Sequence, residues 1–281
     1  FFRKAGEEYL PLYEAKMIHH FDHRWATYED LDTSDLTPVD KQDPARVVLG
    51  RYWVRASSVE VALANTGWNR GWFLGWRDIC RSTDERTVIA GAIPKNAVGD
   101  KFLLCFSKHS GWVLYGNLVA IVCDYASRQK IGGTSLKYFT FRQIPVLPPH
   151  ASGAAIDLCA INTWHPSRVW LQPRVIELAY TAWDLEAFAQ DCGWPGPPFR
   201  WDEKRRFLLR CELDAAFFHL YLLATPDGQW KPARVADGAV RDETPGELAE
   251  LQRHFPTPRD AVAYIMDTFP IVRRKDEQAH G

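Results

Sequence analysis

Three imidazoles and a carboxylate fall within five residues, His19-His20-Phe21-Asp22-His23. His19 and His23 stand four apart, the spacing at which two imidazoles on one helix face share a metal ion, and Asp22 lies between them. A metal held there would support hydrolysis. Three ligands within one helical turn are sterically awkward, and no distant partner is evident, so hydrogen-bonded packing is the expected role. Other catalytic signatures are missing from the sequence. It has no G-x-S-x-G, no Walker A loop, no G-x-G-x-x-G opening a helix after a strand, and no H-E-x-x-H.

A second group of residues offers binding instead of catalysis. It lies in "SRQKIGGTSLKYFTFRQIPVLPP", Ser127 to Pro149. Between Tyr125 and Glu177 the only carboxylate is Asp157, whereas Arg128, Lys130, Lys137, Arg142, Arg168 and Arg174 share that span. The pair Gly132-Gly133, followed by Thr134, lets backbone approach a ligand with no Cβ in the way. Consecutive amides there can form a small nest for phosphate oxygens. Ser135, Tyr138 and Thr140 add neutral donors. Together these residues suit contact with a DNA backbone, with base edges within reach. The plainer reading is a turn with solvated charges. Upstream, Trp68, Trp72 and Trp76 recur every four residues with Arg70, Arg77 and Arg81 among them. This is either a cleft edge of aromatic and guanidinium groups, with Arg70 facing DNA, or core tryptophans with Arg77 and Arg86 paired to Asp78, Asp84 or Glu85.

These groups sit in a chain of 281 residues, which allows one large domain or two ordinary ones. It is 46% hydrophobic and 25% charged, so it can bury a core, and global disorder is excluded. Its 34 basic and 35 acidic side chains leave a net charge of −1. A uniformly basic surface is therefore excluded, and any nucleic-acid contact must rest on local segregation of charge. Six cysteines (Cys80, Cys105, Cys123, Cys159, Cys192, Cys211) form no C-x-x-C pair. That pattern fits a reducing, cytoplasmic compartment and excludes zinc-ribbon spacing. No apolar run approaches the roughly 18 residues of a membrane span. The N-terminal stretch is charged throughout and opens without Met, so a fragment of a longer protein is expected.

The elements that must position these residues are α+β. Residues 31–47 read as an exposed polar loop. Strands are expected at Tyr52–Val54, in "RGWFLGWRDIC", in "RTVIAGAIP" and in "KFLLCFS", with a short helix from Ser57 or Ser58 to Ala64 stopped by Gly67. Leu114, Leu118, Ile121, Val122 and Tyr125 mark one helix face, and a strand is expected after the Gly-Gly turn. Farther on, Val175, Leu178, Ala182, Leu185 and Ala189 form a stripe that Gly193 can end. Asp202 can cap a helix burying Leu209, Leu213, Phe217 and Leu220. A long polar connection, "PDGQWKPARVADGAVRDETPG", then leads to two short helices, "TPGELAELQRHF" and "TPRDAVAYIMDTF".

Five blocks in order, "LPLYEAKMIHHFDHRWATY", "GWFLGWRDICRSTDERTVIAGAIP", "DYASRQKIGGTSLKYFTFRQIPVLPP", "FLLRCELDAAFFHLYLL" and "AYIMDTFPIVRRKDE", resemble the C-terminal part of large bacterial adenine-N6 DNA methyltransferases. These are the TaqI-like and single-chain enzymes of restriction–modification and phage defence. The third block is also similar to the end of recognition domains in type I specificity subunits, at Gly132, Gly133, Leu136, Ile144, Pro145, Pro148 and Pro149. The resemblance implies a target-recognition module that positions duplex DNA for a separate N-terminal methyltransferase domain. That domain would carry the S-adenosylmethionine site and the N-P-P-[YF] motif, both missing from this sequence. On this reading the chain holds no cofactor and is no enzyme on its own. Residues 1–44 connect to the missing catalytic domain, 45–150 form a mixed α/β target-recognition domain, and 151–281 form a mainly helical C-terminal region. Arg128 and Lys130 would touch phosphates. The alternative is a protein-interaction or scaffolding segment of a defence complex with little direct DNA contact.

Overall fold

A computed structural model of the chain describes residues 2–4, 6–81, 83–108, 111–147, 167–222, 227–230, 233–236, 239–242 and 245–280. The amino-terminal segment, expected to be a connector, is built into the body. Strands β1 (Phe2–Lys4) and β2 (Glu7–Tyr13) pair antiparallel, and β3 (Ala26–Glu29) and β4 (Asp32–Asp35) form a hairpin. Helical turn α1 (Pro38–Lys41) opens on a reciprocal cap between Thr37 and Asp40. Residues 31–47 are thus a structured segment that buries Leu36 and Lys41, and only part of it is an exposed loop. Strand β5 (Trp53–Arg55) returns along β2 and leads into α2 (Ala56–Leu63), after which Gly67 takes a φ of +69.

The next strands carry the tryptophans. Strand β6 (Trp72–Arg77) lies between β7 (Ala90–Pro94) and, past the short β8 (Ala97–Val98), β9 (Phe102–Cys105), all antiparallel to it. Strand β8 pairs with β2 and joins the two sheets. Side chains alternate across a strand, so Trp72, Leu74 and Trp76 face one core while Phe73 faces another. The smaller core gathers Tyr13, Met17, Ile18, Tyr28, Ile93 and Phe102 beneath the amino-terminal strands. Gly75 and Gly91 are register partners on that face. A Cβ on Gly75 would meet the Phe102 ring of neighbouring β9 at 2.7 Å, and one on Gly91 would meet Ile18 at 2.5 Å, so glycine at these positions leaves room for those side chains. The spacing of four between the tryptophans therefore belongs to a strand, and Trp72 and Trp76 are core residues at 1% and 0% exposure.

Where one helix face was expected from Leu114 to Tyr125, two helices form: α3 (Gly111–Val119) and α4 (Ile121–Arg128). Ala120 between them is extended. The break frees the Ile121 amide to donate to Asp214, 2.8 Å away on a later helix. The expected strand after the Gly-Gly turn is instead a single helical turn, α5 (Tyr138–Phe141).

Helices α6 (Ser167–Ala179), α7 (Glu186–Asp191) and α8 (Glu203–Leu222) follow, so the stripe from Val175 to Ala189 is split between two helices. Asp202 caps α8 through the Arg205 amide at 2.9 Å. Leu209, Leu213, Phe217 and Leu220 are all buried, each contributing roughly 1.5–3 kcal/mol. The expected polar connection contains a hairpin, β10 (Ala233–Ala236) with β11 (Ala239–Asp242). Helices α9 (Pro245–His254), α10 (Pro258–Asp267) and α11 (Pro270–His280) complete the described chain.

The larger core runs without interruption from Phe21 through Trp76, Tyr115, Val175 and Leu213 to Phe269. The strand-rich and helical regions therefore share one interior, although the expected junction at residues 150 and 151 lies outside the described residues. None of the described helices is long and apolar enough to cross a membrane.

Candidate nucleic-acid interface

The histidine cluster is a turn and not a helix face. His19 and Asp22 exchange backbone hydrogen bonds at 2.8 and 3.0 Å, and Phe21 sits at φ 53. That geometry spends the motif on packing. His23 Nε2 lies 2.8 Å from Asp184, and Lys41 donates to Asp22 at 2.7 Å with both side chains buried. Arg24, fully buried, donates to the carbonyls of Lys41, Asp43, Arg46 and Thr181. Among the described residues no group of three His, Cys, Asp or Glu could hold a metal.

The basic segment is different. Its entrance is bolted to the end of β6. Thr134 O accepts from the Cys80 amide at 3.0 Å, Ser135 bridges Ile79, and the Leu136 amide donates to Asp78 O at 2.7 Å. The Trp76 indole donates to Leu136 O at 2.7 Å. The carboxylate of Asp78 is fully buried and takes Lys137 Nζ at 2.5 Å, with Lys101 3.6 Å away. On α5, Tyr138 and Phe141 are three residues apart and share one side. Phe141 stacks on Trp76 at 3.6 Å, and Tyr138 meets the same ring edge-on while donating to Leu104 O. Of the expected neutral donors, Thr140 is buried and the Tyr138 hydroxyl is used on Leu104 O, whereas Ser135 is half-exposed. The exit is held by Asn117, which accepts from the Leu147 amide, and by Tyr221, which donates to Pro145 O at 2.7 Å.

What this frame leaves exposed is Lys130, Gly132, Gly133, Thr134, Phe139 and Arg142, with Lys137 half-exposed. Neither glycine has a positive φ, and a Cβ on either would meet nothing within 4 Å. No internal contact or backbone strain accounts for the pair. Phe139 was not foreseen from the sequence. It is 70% exposed on a turn whose other aromatics both contact Trp76. The signal lay in the spacing of "YFTF": read as a helical turn, it points Tyr138 and Phe141 at Trp76 and Phe139 away.

Two expected DNA contacts have other occupations. Arg128 donates to Thr87 Oγ1 and to the carbonyls of Asp84, Glu85 and Thr268, and its guanidinium lies 3.9 Å over the Phe269 ring. Burial lowers its pKa. Beside it, Asp124 accepts the Thr87 and Val88 amides, and burial raises its carboxyl. Arg128 thus ties α4 to the Asp84–Val88 segment and to the end of α10. Arg70 lies against Trp68 and Trp72 and 3.6 Å from Asp191. The expected pairing of Arg77 and Arg86 also changes partners: Arg77 donates to Ile18 O, and Arg86 meets Asp214 at 3.3 Å. Arg174 pairs with Glu212 on α8. Pro148, Pro149 and Asp157 lie outside the described residues, as does the Arg168 side chain.

No protein-family model matches the chain, and no curated protein or solved structure is significantly similar to it.

Proposed function

We propose that this chain is a DNA-recognition module and that the loop from Lys130 to Arg142 is its contact with the duplex backbone. The observation that carries this reading is a basic segment pinned through Thr134–Tyr138 and Phe141 that still leaves Lys130, the Gly132-Gly133 pair, Phe139 and Arg142 exposed. Rigid support and exposed cations are what a phosphate-tracking surface needs, because each contact formed then costs little ordering entropy. Lys130, Lys137 and Arg142 supply charge, and Gly132-Gly133 with Thr134 offer amides and a hydroxyl to phosphate oxygens. Phe139, standing between the cations, is placed to wedge against or stack on a base. Arg128 acts behind this surface as a strut, and Arg70 is held by Asp191.

The resemblance to adenine-N6 DNA methyltransferases supplies the wider context. In it the chain works in the cytoplasm and positions DNA so that a separate S-adenosylmethionine-dependent domain can flip an adenine. The competing reading is a scaffolding segment that touches DNA little. Titration of a fluorescent duplex at several salt concentrations tests the choice. Three phosphate-contacting cations predict a log–log slope of about −3. Affinity that ignores salt, or no binding at low ionic strength, rejects the DNA reading.

A further inference from the structure

A cavity of about 600 Å³ lies where the His19–Phe21 turn, the α3–α4 junction, α8 and α10 meet. Most of its wall is apolar, with Val119, Ile121, Leu213, Phe218, Val262 and Met266 facing it. One region is polar, with His19, His20, Arg86, Arg210 and Asp214. Apolar walls with a few polar groups are the usual make-up of a small-molecule site.

The polar groups are unevenly satisfied. Both oxygens of Asp214 are taken, one by the Ile121 amide and the other by Arg86 Nη2. Arg86 Nη1 and His20 Nε2, by contrast, are buried and have no partner. Buried polar atoms normally find partners, and leaving them unmatched is costly. The charge is also one-sided. Arg86, Arg210 and Arg259 line the cavity against Asp214 and Glu85, and Glu85 is already paired with Lys275. Burial, with Arg77 adding to it, lowers His19 to about 4, and burial, with Arg86 adding to it, drives His20 well below its ordinary value. Both imidazoles are therefore neutral near pH 7, and His20 can carry its proton on Nε2 as a donor.

We propose that the cavity binds a small molecule with an apolar body and a single anionic head, a carboxylate or its equivalent, the head drawn to Arg86 and Arg210, two of the arginines that line the cavity. This site is independent of the DNA reading, since it uses none of the loop residues from Lys130 to Arg142. Calorimetry with octanoate, octan-1-ol and octylamine on the full chain tests it. Octanoate should bind at least ten-fold tighter than the alcohol, and the amine should bind weakest. Ala215→Trp plugs the mouth from an exposed position on α8 and should abolish octanoate binding without moving the melting temperature. Arg86→Gln should weaken octanoate about ten-fold or more. Because Arg86 also holds Asp214, the charge test is repeated with the exposed Arg210→Gln, which should weaken octanoate and leave the alcohol unchanged. Absence of octanoate binding at millimolar concentration, equal binding of acid and alcohol, or binding untouched by Ala215→Trp would each overturn the proposal.

Discussion

The inward-tied arginines Arg24, Arg128 and Arg206, each knotting its own set of chain segments, and the open loop from Lys130 to Arg142 are made from the same residue types and do opposite things. In these knots every guanidinium ends on backbone carbonyls. Arg24 reaches four of them, Arg128 three, and Arg206 those of Phe21 and Leu178. A forked, always-charged group with five donors can close several chain segments at once, which lysine cannot do. Burial pushes Arg206 down to about 10, so the protein holds it charged against a real desolvation cost. In the loop Lys130 and Arg142 stay in water, Lys137 alone pairs with buried Asp78, and the supporting work falls to Trp76, Asp78 and backbone pairing. Arg128 and Lys130, two residues apart, fall on opposite sides of this division. Formal charge counts the same in both places, and only the partners separate a strut from a contact.

The division can be broken most forcefully at Arg24. Arg24→Met should cost roughly 3–5 kcal/mol, because four carbonyls and the nearby carboxylates lose their counterpart in a dry site. Chemical denaturation measures this, and a change below 1 kcal/mol would mean the knot is ornamental. A loop charge removed in parallel should leave the midpoint in place.

Acid should separate the two regions next. Burial, with Arg77 adding to it, holds folded His19 at about 4 against an ordinary 6.5. Between those values the unfolded chain carries a proton that the folded one lacks, so stability falls as pH drops from 6.5 towards 4. Each unit is worth about 1.4 kcal/mol, giving at most roughly 3 kcal/mol from this residue. His20 acts in the same direction. Asp184 joins at lower pH. Its burial favours the neutral form, but the charges of His23 and Arg24 prevail and hold it low, so its contribution is lost as it protonates. Asp124 and Asp214, raised by burial, oppose this in part. The informative measurement is therefore wild type against His19→Gln, whose stability should decline less between pH 6.5 and 4. Identical pH profiles would remove His19 from the account.

Much of the frame was legible in the sequence, and the parts that were not share a cause. Strand β6 shows in its aromatic run, and α8 in its stripe behind a capping Asp202, because both depend on neighbours in the chain. The break at Ala120 depends on Asp214, 93 residues away from the amide it receives. The turn Tyr138–Phe141 looks β-branched and aromatic, and packing on Trp76 overrides that preference. The amino-terminal segment gave no clear period because it is divided between two cores. For the candidate site, composition marked the segment correctly as locally basic, but it could not tell that Arg128 points inward and Phe139 outward.

Arg128→Ala gives a smaller effect with a sharper meaning. It should cost roughly 2 kcal/mol, since three carbonyls near the surface lose a charged donor and can partly recover water. Its DNA salt slope, measured where the variant is folded, should match wild type. A slope reduced by about one unit would place Arg128 among the phosphate contacts after all and dissolve the distinction from Lys130.

The smallest expected change in stability, and the one that decides the comparison, comes from Lys130→Ala and Arg142→Ala. Both side chains are exposed. Removing either should alter stability by less than about 0.5 kcal/mol. If they track phosphates, each should flatten the log–log salt slope by about one unit and weaken all duplex sequences alike, because phosphate contacts position the protein without reading bases. Phe139→Ala should behave differently. It carries no charge, so the slope should hold while affinity falls, most for sequences whose base steps unstack easily. Lys137 sits between these cases: its ammonium neutralises buried Asp78, so Lys137→Ala mixes a stability loss with a binding loss and cannot stand in for the other two. A loop in which Lys130→Ala, Arg142→Ala and Phe139→Ala all leave affinity and slope unchanged would be a well-supported surface turn, and the DNA contact would have to be sought elsewhere on the molecule.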